Sequence, residues 1–164
     1  MTVASSAVAP GLAPLPVILK AGLLGGLVDF IYACGVAAAN GRPATRPWQS
    51  VASGWLGKPS FDMGWTSVAL GVVTHFAIAT TMALAFALAA SRVAVLTRRP
   101  LVSGLAYGVV LYLVMYGVVL PGRFGAPFPN WQGIQTVADI CAHLGVGVVI
   151  ALVIARVRLS RAQD

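Results

Sequence analysis

Four stretches of this chain, at about 15–39, 65–90, 101–120 and 134–155, each run 20 residues or more with no more than two charged side chains. A helix needs about 20 mostly apolar residues to cross about 30 Å of hydrocarbon, so each stretch is long enough to span a bilayer. Strict apolar–polar alternation is absent and the runs are too long for barrel strands, which leaves helices as the spanning structure. Each run ends on a boundary signal: Asn40-Gly41-Arg42, Ser91-Arg92, Pro121-Gly122-Arg123 and Arg156. The expected fold is an all-α membrane protein, a four-transmembrane-helix bundle that takes residues 1–164 as a single domain.

Composition agrees. Only 9% of the 164 residues are charged and 59% are hydrophobic, against about 25% charged in a typical soluble domain. That deficit excludes an ordinary soluble domain, a disordered tail and a coiled coil. The net charge of +7 does not point to nucleic acid, because the basic residues bracket apolar runs rather than gather on one solvated face. Cys34 and Cys141 both fall inside apolar runs and read as small buried hydrophobes, not as a disulfide framework or zinc motif. Ala37-Ala38-Ala39 resembles a signal-peptide cleavage site, but no basic residue precedes Lys20 and Asp29 interrupts the run, so the first segment reads as a retained span. A lipid anchor at Cys34 fails because Asp29 and Tyr32 spoil its context. The Ser5-Ser6 start reads as a frayed terminus.

Orientation follows from the basic residues. With the N terminus inside, Lys20, Arg92, Arg98, Arg99, Arg156, Arg158 and Arg161 collect on the inner side, and Arg42, Arg46, Lys58 and Arg123 on the outer. Both termini are thus expected in the cytoplasm. Trp48, Trp55, Trp65 and Trp131 all belong to the two outer loops and are expected as an aromatic belt at the outer interface. Between Pro47 and Lys58, Trp48, Val51, Ala52, Trp55 and Leu56 recur at helical spacing opposite Gln49, Ser50 and Ser53. That pattern predicts a short interfacial helix on the outer leaflet, with a lid over the bundle mouth as the alternative. The second outer loop, 121–133, carries three prolines and two phenylalanines and is expected as a rigid coil.

Each span shows one face of small and polar residues. The first has Gly22, Gly25, Gly26, Asp29, Tyr32 and Ala33, and the second Gly71, His75, Ile78 or Ala79, and Met82, with Thr74 and Thr81 beside it. The third has Gly104, Gly108, Tyr112 and Tyr116, and the fourth Gln135, Asp139, His143, Gly147, Ala151 and Ala155. Lipid tails give helices no hydrophobic reason to associate, so small residues that let backbones approach are expected to face inward. Depth singles out a few of them. At 1.5 Å per residue, His75 lies ~15 Å from Trp65, Asp139 and His143 ~12 and ~18 Å from Trp131, Asp29 ~17 Å from Asn40, and Tyr112 ~13 Å from Pro121. Asp29, His75, Tyr112, Asp139 and His143 therefore share one layer near mid-membrane.

A carboxylate at mid-span costs roughly 2.5–3.5 kcal/mol on insertion scales, so such a layer is a candidate site. Asp139 and His143, one turn apart, are expected to pair, and Asp29 to meet His75 or Tyr112 across the bundle. Five roles stay open: polar contacts that only hold the helices together; a proton or ion relay; a divalent metal held by Asp29, His75, Asp139 and His143; a b-type haem between His75 and His143; and acid–base catalysis. No GxSxG, Walker, HExxH or CxxC pattern occurs, which leans away from an enzyme. Besides the lipid bilayer, partners in a homo-oligomer or a larger complex, the chain serving as an accessory subunit, stay open.

Gly71-Val72-Val73-Thr74-His75, the Gly104-containing start of the third run with its end at Pro121, and Asp139-xxx-His143 resemble the YagU-type family over about residues 17–158. These are small bacterial inner-membrane proteins of undefined activity, associated by name with acid resistance. The resemblance implies a bacterial inner membrane and a polar site with an acid in span one, a His in span two and acid-xxx-His in span four. Asp29, His75, Asp139 and His143 occupy those positions. The chain departs from the family in its short, Trp-rich first outer loop and its brief C-terminal tail.

The charge asymmetry makes a direct prediction. In a chain with Cys34 and Cys141 replaced by Ala, a membrane-impermeant maleimide added to intact cells labels Lys58→Cys, whereas Arg98→Cys reacts only after permeabilisation. The opposite pattern would invert the topology.

Overall fold

The computed structural model describes residues 11–160; Ser5-Ser6, Arg161 and Asp164 lie outside the described residues. In chain order the helices are α1 (Leu15–Ala39), α2 (Arg46–Leu56), α3 (Trp65–Arg92), α4 (Val95–Arg98), α5 (Pro100–Val114), α6 (Leu120–Phe124) and α7 (Ile134–Ser160). A 3-10 turn over Lys58–Phe61 follows α2, and a π-helical turn over Met115–Val119 joins α5 to α6. Among the described residues there is no strand. The helices long and apolar enough to cross a membrane are Leu15–Ala39, Trp65–Arg92, Pro100–Phe124 and Ile134–Arg156, one for each apolar run of the sequence. The fold is that of a multi-pass helical membrane protein.

The element ends have local causes. Proline occupies the first turn of α1, α2 and α5, where its missing N–H would have no helical acceptor anyway. Asn40 closes α1 by donating its side-chain amide to the Val36 carbonyl at 2.8 Å. Gly57 and Gly64 flank the 3-10 turn at φ 66° and 56°, a backbone region open to glycine at little cost. The third span runs past its expected end at residue 120, continuing through Pro121 to Phe124. Proline lacks an N–H and its ring crowds the carbonyl four residues earlier. The wider π turn just before it loosens that register and lets the helix continue.

Packing is ordered α5–α7–α1–α3, with α7 against both α5 and α1, and α1 against α3. The α5–α7 contact is a backbone approach. A β-carbon on Gly104 would lie 2.6 Å from Val148 Cα, one on Gly108 2.5 Å from Leu144 Cα, and one on Gly147 2.8 Å from Gly108 Cα. The three glycines are therefore required by space. The buried core joins α1, α3 and α7 through Ala21, Ala83, Phe86, Ile150, Ala151 and Ile154. Large apolar side chains such as Leu23, Ile31, Val102, Leu105 and Val109 point outward and are exposed, the reverse of a soluble protein and the arrangement a lipid solvent favours.

Spans two and three, α3 and α5, are not packed along their length. They meet where the 93–99 connection joins them: the Tyr107 hydroxyl donates to the Met82 carbonyl at 2.7 Å and its ring lies 5.1 Å from Phe86. Towards the opposite ends the two helices part, and α2 folds over the gap. The helix expected over 47–58 thus forms, and its inner side is held against the spans. A β-carbon at Gly71 would lie 2.6 Å from the Trp48 carbonyl carbon, so α2 crosses α3 in backbone contact. Trp48 is only 3% exposed, which corrects its expected place in the belt. Its indole is taken up by stacking on Phe30, 4.1 Å between centroids and 9° between planes. Trp55, Trp65 and Trp131 are exposed.

The glycine contacts predict a sharp contrast. Gly108→Ala lowers stability by about 1–3 kcal/mol through overpacking, read as a fall in melting midpoint in detergent. Gly35→Ala, with nothing within 4 Å of the added carbon, leaves the midpoint in place.

Candidate functional site

The polar residues of the spans form two groups. In the first, His75 on α3 faces α1 at Gly26, where the missing side chain exposes the helix backbone. His75 Nε2 lies 2.9 Å from the Gly26 carbonyl. A carbonyl only accepts, so Nε2 carries the proton and Nδ1 is left as a basic nitrogen. Nδ1 faces Asp29 Oδ2 at 3.9 Å. Aromatic rings wall the imidazole: Trp48 and Phe76 each sit edge-on at 5.1 Å, with Phe30 at 6.3 Å. The Asp29 side chain is 31% exposed against 11% for His75, so the carboxyl is the accessible member of the pair.

In the second group the Asp139 carboxylate is turned across to α1. The Tyr32 hydroxyl donates to Oδ1 at 2.5 Å, and Gln135 Nε2 donates to the same oxygen at 2.9 Å and to the Tyr32 hydroxyl at 2.8 Å. The three side chains close a triangle that ties α1 to α7. His143 does not pair with the Asp139 side chain, as its spacing led one to expect. Its Nδ1 donates to the Asp139 backbone carbonyl at 2.8 Å, the acceptor one turn back on its own helix. That leaves Nε2 as the basic nitrogen. Tyr112 stacks on Tyr116 at 4.6 Å, and both rings lie nearly perpendicular to the His143 ring, at 5.8 and 5.7 Å. Tyr112 belongs with His143 and not with Asp29.

Between the parted halves of α3 and the third span lies a cavity of about 850 Å³. Asp29, His75 and His143 border it, with Ile78, Met82 and Val118 among its many apolar neighbours. Ser53, Gly54 and Trp55 of α2 meet Arg123 and Phe124 of α6 over one end. The Gly54 position lies against the Phe124 ring, 3.1 Å from a built β-carbon. The Trp55 indole N–H donates to Thr74 Oγ1 at 3.1 Å, and the Arg46 guanidinium sits 4.0 Å over the Phe61 ring. These contacts hold α2 as a cover.

The candidate metal set is not brought together: among the described residues no three His, Cys, Asp or Glu side chains converge. Asp29 and His75 stand on one side, and Asp139 is consumed by its triangle. For a haem between His75 and His143, His75 has only Nδ1 to offer, since Nε2 is held by the Gly26 carbonyl, and Nδ1 faces Asp29. Reasoning from sequence singled out neither Tyr32 nor Gln135 as site residues. The signal was present in the Gln135–Asp139 spacing of one helical turn and in Tyr32 on the polar face of α1. Comparison with family models, with curated proteins and with solved structures gave no match.

The triangle predicts a stability effect. Tyr32→Phe removes the strongest donor to a carboxylate and costs about 1–3 kcal/mol, seen as a lower melting midpoint. Tyr112→Phe, whose ring contact survives, leaves the midpoint unchanged.

Proposed function

We propose that the chain is a non-enzymatic membrane protein whose Asp29–His75 pair exchanges protons within the bilayer. The observation that carries this reading is that a carboxyl and a basic imidazole nitrogen 3.9 Å apart both border the cavity. An imidazole titrates near neutral pH and can pass a proton to or from a neighbouring carboxyl with a small change in conditions. Intramembrane Asp and His side chains that reach a cavity are the kind found on proton paths. His143, on the far wall of the same cavity, supplies a further basic nitrogen.

Asp139 takes the other role. Its oxygen receives two donors in a closed triangle, which suits a polar contact that holds helices in register. In the bilayer the four spans form one bundle with both termini in the cytoplasm, and α2 lies at the outer face with Trp55, Trp65 and Trp131 at the headgroups. The likeness to the YagU-type family supports a bacterial inner membrane and acid tolerance as the setting.

The test is proton flux in vesicles that enclose a pH-sensitive dye. Asp29→Asn is expected to abolish the response to an imposed pH step while insertion, abundance and melting midpoint stay at wild-type levels. Asp139→Asn is expected to lower the melting midpoint instead. Equal losses of abundance in the two variants, with no specific effect on flux, would reduce both carboxylates to structural contacts.

A further inference from the structure

The cavity has properties that proton exchange between Asp29 and His75 does not need. Its volume of about 850 Å³ lies within the 300–1,000 Å³ range of small-molecule sites. Its walls are largely apolar, and its ionisable groups are few and fixed. It also opens sideways: Val118 lines it yet is 64% exposed. The opening falls between α3 and the third span, where the two helices part, and beside the π turn. Wide turns of this kind recur at functional sites because they displace side chains from the regular helical pattern. An aqueous ligand would have no reason to use a gap between two apolar spans. A molecule dissolved in the hydrocarbon would.

The tautomers then select its head group. His143 Nδ1–H donates a hydrogen bond to the Asp139 carbonyl, so at neutral charge Nε2 can only accept. Among the described residues Nε2 has no protein donor. Half-buried beside an apolar cavity, that acceptor has little but the cavity's occupant to supply a donor. A ligand O–H offered to Nε2 would satisfy it, and the Asp29 carboxyl, across the same cavity, can accept from or donate to a second polar atom of the ligand. Tyr112 and Tyr116 lie nearly perpendicular to the His143 ring, which keeps Nε2 aimed in one direction.

We infer that the cavity binds a lipophilic molecule carrying a weakly acidic ring hydroxyl, of the phenol or quinol class, with its hydroxyl donating to His143 Nε2 and its apolar tail leaving past Val118 between α3 and the third span. This inference rests on the cavity being the working site assigned above, and names what enters it. Arg123 stands at the covered end, beside Phe124 and the α2 residues Ser53 and Gly54. A fatty acid would be expected to place its carboxylate there and its tail inward, the opposite orientation.

The test measures labelled 4-octylphenol retained by phosphatidylcholine nanodiscs that contain the chain, against empty nanodiscs. Saturable binding near one per chain is expected. Octylbenzene, which has the same body without the hydroxyl, should bind about tenfold more weakly, as should 4-octylphenol to His143→Phe, each having lost one hydrogen bond. Val118→Trp, at an exposed position, should close the lateral opening and abolish binding with the melting midpoint unchanged. It decides the matter alone if His143→Phe does not fold. Equal binding of octylphenol and octylbenzene, or wild-type affinity in both variants, would overturn the inference. So would displacement by oleic acid that disappears in Arg123→Gln, because the site would then take a carboxylate at the covered end. Octylphenol binding as expected, with Asp29→Asn vesicles still conducting protons normally, would leave the ligand site standing and remove the proton-exchange reading. Normal dependence of flux on Asp29 without octylphenol binding would remove the ligand alone.

Discussion

Backbone contact between helices is the constraint on which this structure rests. Apolar side chains gain nothing by leaving lipid for one another, so helices in hydrocarbon cohere through close approach and a few hydrogen bonds. Here two spans come into backbone contact where Gly104 and Gly108 of α5 meet Gly147 of α7. With α5 seated on α7 and α7 on α1, the positions of the polar side chains follow. Gly26 leaves a carbonyl uncovered for His75, and Gly71 lets α2 cross α3 closely enough for Trp48 to reach Phe30. Small residues thus determine both how the spans pack and where the imidazoles point.

Burying polar groups among apolar helices is costly unless they find partners, and the two carboxylates of the spans meet that demand differently. Asp139 receives two donors on Oδ1, from Tyr32 and Gln135. Asp29 has one distant neighbour, His75, and stays open to the cavity. Reactivity belongs with the group whose needs are incompletely met, because its protonation state can change without dismantling the fold. Both histidines are anchored by one nitrogen to a backbone carbonyl, which orients the ring and leaves the other nitrogen basic. The same device serves each imidazole, on opposite walls of one cavity.

Much of the architecture was legible in the residues themselves. The four spans and the loop helix appear within a few residues of where apolar length and boundary signals put them. Pro121 misled at one end, since a proline usually stops a helix and only the π turn before it explains why this one does not. Depth counted along each helix put Asp29, His75 and His143 close together, and these three border one cavity. Partnership was harder. His143 and Asp139 are one turn apart and seemed a natural pair, but the ring turns back to its own backbone while the carboxylate crosses to Tyr32. Trp48 read as an interfacial indole because periodicity shows which side of a short helix is apolar, not what that side rests on.

What the sequence determined by itself is the four apolar helices, because the free energy of placing a segment in hydrocarbon depends on its own length and composition. Tertiary structure alone decided that α3 and the third span part, that a cavity lies between them, and that α2 covers it. Rotation of one helix against another is set by where backbones can touch, which is a property of two surfaces together. The same reason explains why Asp29 reaches the cavity and Asp139 is tied down, although the two carboxylates look alike in the sequence.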